Sequence, residues 1–320
     1  MNGMYVYIRT VLISFCVILF HTGQTQTSLP LSETINNMLP SWNAKQGPGI
    51  SVAVISDGRV VYSNSLGMAN IKAGISIDTT TSFWIASVSK QFTAAVVFHL
   101  VAQKKLFPDR SVRAYLPDLP SLYEDVTIDQ LVHHTSGIRD GFVLTALSGK
   151  PPSEYTNANV LHYLKASKDF NFVPGTKFEY NNSGYVLLAA VIEKVTGRSY
   201  PDYVKETIFH PLGMLHTYVS SAFPVDKAQA EGYREAGPQT YEESHFPGNT
   251  YGSTGVNSTL PDLIRWSQFL QRPSSVPSLA PLVGYLLRPG QLNNGDPIAY
   301  CGGLEKFVYN GQTLYEHFGS

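Results

Sequence analysis

Apolar and polar positions alternate over residues 51–56 and again over 59–63, with the dipeptide Asp57-Gly58 between the two runs. Alternation with a period of two marks a half-buried strand, and Asp-Gly favours a tight hairpin turn. An antiparallel hairpin is therefore expected early in the chain, after a short surface helix over 31–44. The period then changes. Phe92, Ala95, Val96, His99 and Leu100 recur at helical spacing within 87–106, and Lys104 and Lys105 stand near its end, where cations suit the helix dipole. So apolar a helix is expected to be buried on several sides. Thr127 and Gln130 form a capping-box pattern that opens a helix over 128–134. A strongly apolar helix over 183–196 is closed by Gly197. Another runs over 201–209 and stops near Pro211, and Thr259 caps a helix over 260–270 with Pro261 early in it. The polar stretch 223–250, with its Gly and Pro, predicts a long loop over a cleft. Strand character returns at 306–309 and 312–316, around the turn Asn310-Gly311. Strands, then helices, then strands predict an α+β fold, in which an antiparallel sheet built from both chain ends carries an inserted helical region.

Composition narrows the class. The 320 residues suffice for one large domain or two subdomains sharing a core. With 43% hydrophobic and 15% charged residues the chain is an ordinary globular one. The net charge of −1 and the lack of a long basic run argue against nucleic acid as a partner, and a monomer is expected. Residues 1–27 read as a signal peptide: Arg9 precedes the apolar run 11–20, and a small, polar stretch follows. That run is short for a membrane span, so export to the periplasm or the medium is expected, with an uncleaved anchor as the rival. The two cysteines, Cys16 and Cys301, then cannot pair within the mature chain, and Cys301 reads as a small buried core residue.

The candidate chemistry begins at Ser87 and Lys90. Residues three apart share a helix face, so the lysine amine can reach the serine hydroxyl. A serine nucleophile needs such a base, and a lysine serves once burial lowers its pKa. The neighbours Phe83, Trp84, Ile85 and Val88 make a partly dry site. By spacing alone, Ser-x-x-Lys arises by chance about once in a chain this rich in serine. Tyr180-Asn181-Asn182 offers a phenol to relay a proton and an amide to hold a substrate. Tyr62-Ser63-Asn64 and Tyr155-Thr156-Asn157 match the same pattern, but only Tyr180 follows Pro174-Gly175 and directly precedes a helix. His317-Phe318-Gly319 places a cation and a glycine on a late strand, where the glycine permits close approach to the backbone. His133 and His134 are read as packing residues at a helix end. No His-x-His or His-Glu-x-x-His run suggests zinc, and no Gly-x-Ser-x-Gly marks a nucleophile elbow.

The segments FWIASVSKQFTA (83–94), LVHHTSG (131–137), PGTKFEYNNSGYVLL (174–188) and GRSYPDYV (197–204) resemble the serine β-lactamase-related family. That family includes class C β-lactamases, D-alanyl-D-alanine carboxypeptidases, D-aminopeptidases and esterases. GSTGVNSTLPDL (252–263) fits a later helix of the same pattern, and the likeness runs from about residue 31 to 320. The resemblance implies Ser87 as the acylated nucleophile, Lys90 as its base and Tyr180 as the proton shuttle. It implies that Asn182 binds the substrate amide, and that His317 takes the place of a lysine, with Gly319 beside it. The backbone N–H groups of Ser87 and Ser320 would form the oxyanion hole. The expected activity is hydrolysis of an amide or ester in a small-molecule or peptide substrate through an acyl-enzyme, with no cofactor and no metal. Histidine at 317 ranks peptidase or esterase above β-lactamase. Family members continue with further strands and a C-terminal helix, so residues 28–320 read as a C-terminally incomplete domain. The rival reading is an impaired member that only binds peptidoglycan-like or acyl-D-amino ligands.

Overall fold

Asp57 and Gly58 both adopt positive φ, 49° and 70°, the geometry a two-residue hairpin needs at its two central positions. They join β1 (Ile50–Ser56) to β2 (Arg59–Leu66) in an antiparallel pair, as the alternation predicts. The computed structural model describes residues 30–39, 47–220, 229–244 and 248–319. The expected signal peptide, Cys16 and Ser320 lie outside these residues. So do residues 40–44 of the expected first helix, of which α1 (Leu31–Met38) is described and has no buried residue.

Short β3 (Met68–Asn70) and β4 (Ile75–Ser76) pair with each other. Next, β5 (Ser82–Trp84) leads into a 3₁₀ turn, Ala86–Ser89, and α2 (Lys90–Ala102). The helix expected from residue 87 thus begins as a 3₁₀ turn and ends sooner than predicted. α2 is apolar on all sides, so it cannot face water. Phe92, Ala94, Ala95, Val96, Val97, Phe98 and Leu100 are buried. Phe92 packs on Phe209 and Trp266, with ring centroids 5.1 and 4.8 Å away.

α3 (Ile128–Val132) carries the predicted capping box between Thr127 and Gln130. α4 (Gly141–Leu147) is capped by Asp140, and α5 (Asn157–Ala166) by Thr156. α6 (Asn182–Thr196) is capped by Asn181 and closed by Gly197 in the left-handed conformation. The helix predicted over 201–209 divides into α7 (Tyr200–Val204) and a π turn, Lys205–Phe209. α6, α7 and the later α9 (Ala280–Leu286) all pack on α2.

β6 (Tyr218–Val219) comes next. The stretch predicted as one long loop contains instead a hairpin, β7 (Tyr233–Gly237) and β8 (Thr240–Glu243). It is tied to the N-terminal strands: Glu231 N–H donates to Ala69 O at 2.8 Å, and Ile71 N–H donates to the Tyr233 hydroxyl at 2.8 Å. β9 (Val256–Thr259) runs between β5 and β6 in a three-stranded antiparallel sheet, and its last residue caps α8 (Leu260–Gln271). The chain returns through β10 (Glu305–Tyr309) and β11 (Gln312–Glu316), paired across Asn310-Gly311 as predicted. The fold is mixed, α-helices with small antiparallel sheets. Both chain ends contribute hairpins, and among the described residues each keeps its own ladder.

Candidate active site

The 3₁₀ turn changes the relation of Ser87 to Lys90. At three residues per turn, side chains at i and i+3 eclipse, which sets the lysine directly behind the serine. Lys90 Nζ lies 3.0 Å from Ser87 Oγ. Ala86, just before the serine, has φ 48°, an uncommon conformation for a residue with a side chain. β9 holds it there. Ser89 Oγ donates to Ala86 O at 2.5 Å and accepts from Val256 N–H at 3.1 Å. The Ile85 N–H donates to Val256 O at 3.0 Å.

Lys90 is fully buried, while Ser87 above it is part-exposed. The amine has two partners besides the serine: Asn182 Oδ1 at 3.0 Å and Ser253 O at 2.9 Å. Both oxygens can only accept. A neutral amine has two N–H bonds and one lone pair. With both N–H bonds committed to Asn182 and Ser253, the lone pair is left for the Ser87 hydroxyl proton. Burial brings the lysine down to about 7, and the carboxylate of Asp140 opposes that shift. A substantial fraction is therefore the free base near neutral pH, as a general base requires.

Two elements far apart in sequence deliver these acceptors. Thr93, one turn beyond Lys90 on α2, donates to Gly252 O at 2.7 Å, so adjacent carbonyls are gripped by adjacent turns of one helix. Gly252 has φ 87°, and a Cβ there would fall 2.4 Å from Tyr185 O. Only glycine lets this loop lie against α6 and present Ser253 O to the amine. Asn182 is set by Asp140, whose Oδ2 accepts from Asn182 N–H at 2.7 Å. Its Oδ1 accepts from Phe142 N–H at 2.8 Å, so one carboxylate caps α4 and fixes the start of α6.

Tyr180 lies across the amine, with Lys90 Nζ 4.8 Å from its ring centroid, and its phenol interacts with the Ser87 side chain. Tyr180 is 40% exposed as a residue, yet burial around its hydroxyl raises the phenol pKa further above its usual value. Tyr180 is thus a neutral phenol, able to give a proton but poorly suited to act as an anion.

His317 joins the cluster from the end of β11, its ring centroid 6.0 Å from that of Tyr180. Its Nδ1 is 2.8 Å from Phe318 O and its Nε2 is 2.9 Å from the Tyr300 hydroxyl. Phe318 O can only accept, so Nδ1 carries the proton and Nε2 accepts from Tyr300. Burial, and then the charge of Lys90, bring His317 down to about 4. The cation expected at this position is therefore a neutral imidazole. Gly319 also does more than leave room for a ligand. A Cβ there would fall 2.5 Å from Ile85 O, so the glycine lets β11's end lie against the Ser87 turn.

Ser87, Lys90, Tyr180, Asn182, His317 and Gly319 thus lie together, while Ser320 lies outside the described residues. Asp140, Ser253, Thr93 and Tyr300 belong to the same site and were missed. Thr93 and Ser253 stand inside the segments 83–94 and 252–263, and Asp140 lies three residues past 131–137, but nothing in the sequence says which way they face. Cys301 is buried, as expected, and burial pushes its thiol up to about 12.

The Beta-lactamase family profile matches residues 35–320. The chain belongs to this family. It is 31% identical over 298 residues to the D-aminopeptidase of Brucella canis, covering 91% of this chain and 55% of that protein. It is 28% identical over 278 residues to the D-aminopeptidase of Gluconobacter oxydans, covering 86% and 51%. The chain thus spans about half the length of these curated relatives. Among solved structures it resembles the octameric penicillin-binding protein homologue from Pyrococcus abyssi, with TM-score 0.73, 29% identity, and 90% and 67% of the two chains covered. It also resembles a penicillin binding protein from Bacillus halodurans, with TM-score 0.72, 25% identity, and 87% and 84% covered. These likenesses and the site geometry support a serine hydrolase.

Proposed function

We propose that this chain hydrolyses an amide or ester bond of a small-molecule or peptide substrate through an acyl-enzyme on Ser87. The observation that carries the reading is the bonding of Lys90. Nζ lies within 3.0 Å of Asn182 Oδ1, Ser253 O and Ser87 Oγ, so once the amine is neutral and its two N–H bonds go to the first two, its lone pair is left for the Ser87 hydroxyl. Lys90 takes the hydroxyl proton as Oγ attacks the substrate carbonyl. The resulting tetrahedral intermediate expels its amine or alcohol, protonated by the neutral Tyr180 phenol, which regains a proton from the Lys90 ammonium. Water then attacks the acyl-enzyme by the same route in reverse, and Ser87 leaves with its proton restored.

Within this reading, peptidase or esterase ranks above β-lactamase. A neutral His317, with both ring nitrogens engaged, gives no fixed ammonium to pair with a substrate carboxylate at that position. The D-aminopeptidase names of the relatives support an acyl group derived from a D-amino acid. Export belongs to the same proposal and is supported by the apolar run 11–20 with Arg9 before it.

Turnover of D-alanine p-nitroanilide, p-nitrophenyl butyrate and nitrocefin by the purified chain and its Ser87→Ala variant tests the proposal. The anilide or the butyrate is expected to be the best substrate, with nitrocefin the slowest and the variant inactive on all three. Nitrocefin as the preferred substrate, or turnover that survives Ser87→Ala, would overturn it.

A further inference from the structure

His134 is buried at 1% exposure and has φ 57°, in the left-handed region. It grips the chain on both sides of Tyr180. Its carbonyl accepts from Glu179 N–H at 3.0 Å, and its Nδ1 accepts from Asn181 N–H at 3.1 Å. Its ring lies under the Tyr180 ring, centroids 4.4 Å apart and planes inclined at 39°. Tyr300 packs edge-on against the same ring at 4.4 Å. The residue between the two gripped amides is the one whose phenol meets Ser87.

The hydrogen-bond roles fix the tautomer. Nδ1 accepts, so the proton sits on Nε2, and that buried N–H has no hydrogen-bond partner among the described residues. Burial drives the imidazole well below its usual pKa and keeps this neutral form. A phenylalanine would fill the ring's space, and an asparagine would suit the backbone conformation better. Only an imidazole supplies an acceptor for Asn181 together with an aromatic face for Tyr180.

We propose that His134 is a positioning residue that holds the Tyr180 phenol against Ser87, through its two backbone bonds to residues 179 and 181 and its ring. The proposal rests on the reading of Tyr180 as the proton relay. It goes beyond packing at a helix end, because the predicted effect is on the chemical step. A displacement on the order of 1 Å in such a group can cost a hundredfold in rate.

A double-mutant cycle on D-alanine p-nitroanilide tests it, since the amine leaving group needs a proton. His134→Phe keeps the ring and removes the acceptor. His134→Asn keeps an oxygen near the Nδ1 position and suits the backbone. In the wild-type background His134→Phe is expected to lower kcat about tenfold or more, with KM within about twofold, while His134→Asn recovers part of that loss. In a Tyr180→Phe background the same His134→Phe change is expected to add less than about twofold. Full kcat in a folded His134→Phe variant, or an equal fold-loss in both backgrounds, would overturn the proposal. An inert Tyr180→Phe change would instead overturn the reading of Tyr180, and this inference with it. Should His134→Phe fail to fold by circular dichroism, His134→Gln replaces it, its oxygen lying one bond beyond the Nδ1 position.

Discussion

Lys90 Nζ stands 3.0 Å from Ser87 Oγ, and its other two partners are pure acceptors that cannot give it a proton. The amine is therefore useful only when it can lose its own proton. Lys90→Arg keeps the charge and much of the length, but a guanidinium does not deprotonate in a protein. The variant is expected to fold and to lose about 10²- to 10⁴-fold in acylation rate, the usual contribution of a general base. Stopped-flow acylation by p-nitrophenyl butyrate, beside a thermal melt, measures both.

The acid limb of the rate profile is expected to follow the same amine. With Lys90 near 7, kcat/KM rises with pH through about that value as the free base accumulates. Asp140 favours the ammonium, so Asp140→Asn is expected to move the limb to lower pH. The same substitution leaves a single oxygen for the Phe142 and Asn182 amides that two oxygens now serve, so the plateau rate falls as well. A pH series of kcat/KM for both proteins separates shift from loss.

His317 is expected to titrate far from an ordinary histidine. Its Hε1 signal in NMR should move with a midpoint near 4, against 6.5 for an unperturbed ring. The sign for stability follows. The folded state binds this proton less readily than the unfolded chain, so between about 6.5 and 4 the unfolded state holds more protons. The contribution is complete above 6.5 and is lost as pH falls through that window. His134 is displaced in the same direction by its burial and adds to the effect. The urea midpoint is expected to drop from pH 7.5 to pH 5, and to drop less in His317→Gln.

Gly319 meets Ile85 O where a Cβ would fall, at 2.5 Å. Gly319→Ala is expected to push the end of β11 away from the Ser87 turn, lowering stability by about 1–3 kcal/mol, as forced overpacking does. The rate on any acyl substrate should fall more than the melt predicts, because the displaced segment carries His317. Parallel urea titration and kinetics test this.

Local signals carried the elements and their order. The Asp57-Gly58 and Asn310-Gly311 turns, the Thr127 box, the Thr259 cap and the Gly197 stop each act within a few residues, so each was legible. Ser87 and Lys90 were legible for the same reason, being three apart. Helical periodicity does not distinguish an α start from a 3₁₀ one, so the turn at Ala86–Ser89 was missed. Asp140 and Ser253 act on Lys90 across 50 and 163 residues, and no short-range pattern encodes such a meeting. The charge state of His317 was hidden as well, since it depends on burial and on Tyr300, which reaches it only in the fold.

The central claim is that Ser87 is an activated nucleophile. Intact-mass spectrometry and peptide mapping after incubation with a fluorophosphonate test it most directly, on the wild type, Ser87→Ala and Lys90→Arg. A single adduct on Ser87 in the wild type is predicted, absent in Ser87→Ala and formed at least about a hundredfold more slowly in Lys90→Arg. A folded wild type that takes up no adduct, or one labelled at another residue, would contradict the account.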